Sequence, residues 1–134
     1  MFKITPVNDK SLQKSITELC GGEFKQDFFC YVMTDLETRE VMGYSQFEIS
    51  SGTAFLADLK EAPSRNDFEA MFILGRQTLN FIDLCGVHNA YAYKSCGDKK
   101  LLHAIGFRDS SDDKMIIDLN GMFDGKCSGH KVEL

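Results

Sequence analysis

Residues 53–94 place three patterns in a row that leave few folds open. TAFLADLKEA (53–62) is a run of apolar and β-branched residues that ends before Pro63. From Asn66 to Cys85 the apolar period lengthens from two to nearly four, with Phe68, Met71, Phe72, Leu79, Ile82 and Cys85 on or near one helical face. HNAYAYK (88–94) then returns to short alternation. A strand, a long helix and a second strand must be joined by a right-handed crossover, so the two strands are expected to be parallel neighbours. Asn66 with Glu69 three residues on has the form of a capping box, and Gly86 suits the left-handed position past the helix end.

The flanking segments fix the rest. FKITPV (2–7) reads as a first strand, and Asn8 or Asp9 can cap a helix through SLQKSITELC that stops at Gly21-Gly22, with Leu12, Ile16 and Leu19 as its apolar stripe. DFFCYVMTD and VMGYSQFEIS, joined by polar LETRE, make a hairpin, and Ser50-Ser51-Gly52 turns the chain into TAFLADLKEA. DKKLLHAI is a short helix stopped by Gly106. FRD and KMIIDL form a last hairpin, and the tail GMFDGKCSGHKVEL has no period and is expected to be irregular. The order β-α-β-β-β-α-β-α-β-β describes an α/β domain over residues 1–134, with a mixed, mostly antiparallel sheet, one parallel central pair and helices on both faces.

Composition sorts function classes. Lys+Arg total 15 and Asp+Glu 20, a formal charge of −5, which argues against nucleic acid as a partner, since non-specific affinity for it rests on basic residues. No apolar run reaches the roughly 18 residues of a membrane span, and MFKITPVND lacks the apolar core of a secretory signal, so a cytoplasmic protein with reduced cysteines is expected. Cys127 and His130 form a lone C-x-x-H, half of a zinc site at best, and His88 and His103 supply no second pair; no metal is expected. Cys96 in SCGDKK is the best reactive thiol, if a helix start and Lys99 and Lys100 lower its pKa; the alternatives are an inert thiol and a solvated lysine turn.

LADLKEAPSRNDFEAMFILGRQTLNFIDLCGV and LLHAIGF, taken with the element order, resemble the Gcn5-related N-acetyltransferases. The first segment is similar to that family's fourth strand, cofactor loop and third helix, and the second to the short helix that ends in Gly-Phe. The family loop, Arg/Gln-x-x-Gly-x-Gly/Ala, falls on Arg65 to Ala70: Arg65 and Ala70 fit, Phe68 stands at the first glycine, and a residue is missing between Pro63 and Arg65. The resemblance implies a V-shaped opening between two splayed parallel strands. It implies that the pantetheine arm of acetyl-CoA pairs with Leu59, Lys60 and Glu61, and that the pyrophosphate rests on Arg65 and the N–H groups of Asn66, Asp67, Phe68, Glu69 and Ala70. An amine of a small molecule or protein then attacks the thioester.

The family's acid, a tyrosine five positions before the terminal phenylalanine, is replaced by Leu102. Tyr91 or Tyr93 is a possible substitute, or each is an ordinary core or cleft aromatic. Glu48, Asp58 and Glu61 are candidate bases, or solvated strand residues; spacing favours none of them. Phe68 and Leu102 equally suit a domain of this fold that has lost catalysis and serves as a binding or interaction module. The family builds its acceptor site partly from the early helices, and here only DKSLQKSITELCGGEFK separates the first two strands.

Overall fold

The computed structural model describes residues 1–123. Its elements are β1 (Phe2–Pro6), α1 (Lys10–Leu19), β2 (Phe29–Asp35), β3 (Val41–Ser50), β4 (Thr53–Glu61), α2 (Phe68–Leu84), β5 (Asn89–Tyr93), α3 (Lys99–Ile105), β6 (Arg108–Asp109) and β7 (Lys114–Asp118), plus a 3-10 turn at Lys94–Cys96. The seven strands form one sheet in the order β1-β2-β3-β4-β5-β7-β6. β4 and β5 are parallel, and every other neighbouring pair is antiparallel. α2 is the crossover between the parallel strands, as its amphipathic period predicts. Gly86 and Gly106, at φ +88° and +134°, end α2 and α3 in backbone conformations that a Cβ disfavours. Among the described residues, no helix is long and apolar enough to cross a membrane.

Two cores lie on opposite faces of the sheet. The larger joins Met33, Phe47, Leu56 and Leu59 to Leu74, Leu79 and Ile82 of α2 and to Leu102 and Ile105 of α3. Phe47 is enclosed by Phe29, Tyr31 and Phe81 at ring-centroid distances of 5.7, 6.0 and 6.0 Å. A buried hydroxyl pair, Ser45 with Thr78 at 2.7 Å, fastens β3 to α2. The smaller core packs Ile16 and Cys20 of α1 against Val7, Cys30, Val32 and Tyr44.

α1 differs from its sequence reading. Leu12 and Leu19 are 50% and 51% exposed, whereas Gln13, Ile16 and Thr17 are buried. The helix is rotated so that the Gln13 amide reaches the Gln46 side chain at 2.9 Å, as well as the carbonyls of Lys25 and Phe28. A buried amide with partners outweighs the exposure of two leucines, because the amide without those bonds would carry its full desolvation cost. α2 begins differently too. Asp67, rather than Asn66, is the N-cap, and its carboxylate accepts the Ala70 N–H at 3.1 Å, so the Asn66–Glu69 box does not form. At the two ends of its apolar stripe, Phe68 and Cys85 are exposed.

Candidate functional site

The parallel pairing of β4 with β5 covers only Ala54 with Ala90, Phe55 with Tyr91 and Leu56 with Ala92. Immediately beyond, β4 bulges. Gln46 faces Asp58 and Phe47 faces Leu56, so Ala57 is the extra residue. The bulge bends β4 away while β5 ends at Tyr93, and the two strands part. A cleft of about 350 Å3 fills the gap, lined among others by Leu59, Lys60, Glu61, Asn66, Phe68 and Met71, and closed by Ser95, Gly97, Asp98 and Leu101. Gly97 is what lets the β5–α3 connection come so close: a Cβ there would lie 2.5 Å from the Leu59 carbonyl oxygen.

The α2 end of the cleft is where an anion would meet backbone N–H groups. Two of them are already engaged. The Glu61 carboxylate accepts the Asp67 N–H at 2.6 Å, and Asp67 caps Ala70. Arg65 points elsewhere: its guanidinium donates to Asp35 at 2.9 Å, to Glu40 at 3.2 Å and to Thr38 at 3.3 Å, tying the loop to the β2–β3 hairpin. The backbone N–H of Glu37 and then the Arg65 contact hold the Asp35 carboxyl below its usual range, and Asp35 in turn raises Arg65. Phe68 is 48% exposed at the cleft mouth rather than packed in the core, and Glu69 is exposed beside it.

On the α1 side of the bulge lies a buried polar cluster that sequence reasoning missed. Asp58, 8% exposed, accepts the Tyr44 hydroxyl at 2.8 Å and the Gln46 amide at 3.0 Å, both on Oδ2. Gln46 also donates to the Glu23 carbonyl and accepts the Lys25 N–H, which draws the α1–β2 loop over the cluster. Burial, and then the Asp58 carboxylate, push the Tyr44 hydroxyl far above its ordinary range. The available signal was GYSQF, a strand whose polar Ser45 and Gln46 interrupt an otherwise apolar run.

The remaining candidates lie apart. Glu48 sits opposite Phe55 on the far side of the bulge. Tyr93 packs edge-on against Phe55 at 4.8 Å, and Tyr91 lines a separate groove with Arg108 and Ile116; neither lines the cleft. Leu102 is wholly buried in the larger core. Cys96 departs from its sequence reading. It is 2% exposed within the 3-10 turn, and burial pushes its thiol up to about 12, the opposite of activation. Among the described residues no group of histidine, cysteine and carboxylate side chains could hold a metal; Cys127 and His130 lie outside those residues.

No family model matches the sequence, and neither does any curated protein. Solved structures do match in shape. An IAA acetyltransferase from Bacillus cereus superposes with a TM-score of 0.74 at 15% identity, over 89% of this chain and 100% of that one. The fold is that of the Gcn5-related N-acetyltransferases. The ribosomal-protein-S18-alanine N-acetyltransferase of Escherichia coli gives a TM-score of 0.69 at 11% identity, over 89% and 94% of the two chains. The PaiA N-acetyltransferase of Thermoplasma acidophilum, solved with coenzyme A, gives 0.67 at 12%, over 88% and 99%. The acetyltransferase fold is therefore shared across almost the full length of these enzymes. At such identities the likeness concerns the backbone, and what this chain does rests on its own side chains.

Proposed function

We propose that this protein transfers an acetyl group from acetyl-CoA to an amine. The observation that carries the reading is the parting of β4 and β5 directly after the Ala57 bulge, which leaves a cleft of about 350 Å3 against Leu59–Glu61, beside a strand segment with which an extended thioester arm can pair. Asp58 is the base in this reading; it does not line the cleft itself but directly precedes Leu59, which does. Its Oδ2 is fixed by Tyr44 and Gln46, and among the described residues Oδ1 receives no hydrogen bond. Of the three candidate carboxylates, only Asp58 is both buried and held in one orientation. The amine nitrogen bonds to the thioester carbonyl carbon, the C–S bond breaks, the amine proton passes to Asp58, and the thiolate leaves and is protonated by water. The acceptor is an amine of a small molecule or of a protein.

A second reading has its own observation. Glu61 on the Asp67 N–H, with Arg65 committed to Asp35, suits a domain that no longer holds a diphosphate and acts as a binding module. One experiment separates the two: purified protein is incubated with acetyl-CoA and a panel of amines, free thiol is followed by colorimetry, and the acetylated product is identified by mass spectrometry. Amine-dependent thiol release that falls roughly 100-fold or more in kcat in Asp58→Asn supports transfer. Neither thiol release nor a rise in Tm at millimolar acetyl-CoA refutes it and leaves the module.

A further inference from the structure

We infer that Glu61 makes this cleft select thioester donors by their pantetheine arm and against their diphosphate. The inference rests on the acetyl-transfer reading and narrows its donor. Three observations converge on the cleft mouth. The Glu61 carboxylate already lies on the Asp67 N–H at 2.6 Å, the place at the start of α2 where an incoming phosphate oxygen would be bound. Arg65 is held by Asp35 and Glu40. Among the described side chains that line the cleft, Lys60 is the one cation, set against Glu61 and Asp98, and Glu69 adds a further negative charge beside the mouth. A diphosphate arriving there must displace a charge-assisted hydrogen bond and then sit beside the carboxylate it displaced. The arm meets no such opposition. Past the bulge its partner is the backbone of β4, and at about 350 Å3 the cleft is at the small end of ligand pockets, enough for an acylated arm and little more.

The consequence is a reversed preference. In a site that uses its helix N-terminus, adding 3′-phospho-ADP to S-acetylpantetheine strengthens binding. Here acetyl-CoA is expected to bind no more tightly than S-acetylpantetheine. Titration calorimetry of the full-length chain with both compounds, and with the Glu61→Gln and Glu61→Ala variants, tests this. Gln keeps an acceptor without the charge, and Ala clears the N–H altogether. Both should raise the affinity for acetyl-CoA relative to S-acetylpantetheine by about tenfold or more, Ala the further of the two. Acetyl-CoA binding wild type at least tenfold more tightly than S-acetylpantetheine, with no gain in either variant, overturns the role of Glu61 and leaves the transfer reading standing. Failure of wild type and both variants to bind either compound, with the melting curve intact, overturns both.

Discussion

Removing the Tyr44 hydroxyl tests the polar cluster behind the bulge. Tyr44 is fully buried and donates to Asp58 at 2.8 Å, leaving the Gln46 amide as the other donor to that carboxylate. A hydrogen bond to a charged group contributes about 1.5–3 kcal/mol, so Tyr44→Phe should cost about 2 kcal/mol. In a chain of this size that lowers Tm by roughly 6–10 °C. Gly22 supplies the second arm of the experiment. A Cβ built on it would lie 1.7 Å from the Tyr44 hydroxyl oxygen, and Gly22 is not among the glycines with positive φ, so contact rather than backbone strain sets the cost. Gly22→Ala alone should cost about 1–3 kcal/mol through overpacking. With the hydroxyl gone, the nearest atoms are the Asp58 Oδ2 and Tyr44 Cζ, both at 3.0 Å, and most of the clash disappears. The double variant should therefore lose about 1–2 kcal/mol less than the sum of the singles. Urea unfolding at neutral pH, read by circular dichroism with a common m-value, measures all four corners of the cycle. Additivity within 0.5 kcal/mol, or a Tyr44→Phe cost below that, would refute the packing of the α1–β2 loop onto this hydroxyl.

Gly97→Ala sets a Cβ 2.5 Å from the Leu59 carbonyl, backbone against backbone, so the β5–α3 connection must move off β4. A loss of about 1–3 kcal/mol is expected, with faster hydrogen exchange confined to Leu59–Glu61 and residues 95–98; unchanged exchange there would contradict the close approach. Alkaline stability reports on the buried thiols. Burial raises Cys30 and Cys96 from an ordinary 9.0 to about 12 and Cys20 to about 11, so the unfolded chain releases three thiol protons above pH 9 that the folded chain retains. Their stabilisation is complete below pH 9 and is lost as pH rises toward 12, at about 1.4 kcal/mol per pH unit for each thiol. Cys96→Ala should shallow the fall in urea midpoint between pH 9.5 and 11 by one proton's worth, and an identical slope would contradict its burial.

The sequence by itself determined the order of elements, the parallel pair, and the glycines that end α2 and α3. Each of these is local: a period of two or of nearly four, a helix long enough to cross over, or a φ that only glycine takes freely. The place of the cleft followed from the same order, because it opens where the crossover strands part. Which side chains serve the cleft was a tertiary decision. The apolar stripe Leu12, Ile16, Leu19 predicts one face of α1, but the buried face is the one that lets Gln13 reach Gln46, a partner 33 residues away. Asn66 with Glu69 has the form of a capping box in sequence, but the folded turn puts Asp67 at the cap. Arg65 matches a phosphate-loop pattern, yet Asp35, folded beside it from another hairpin, claims the guanidinium. Asp58, Glu61 and Glu48 are indistinguishable by spacing. One extra residue, Ala57, gives them separate surroundings by bending β4, so that Asp58 is buried under Tyr44, Glu61 reaches the start of α2, and Glu48 stays on the far side. A bulge depends on the register between two strands, and register is a property of the pair that neither strand carries alone.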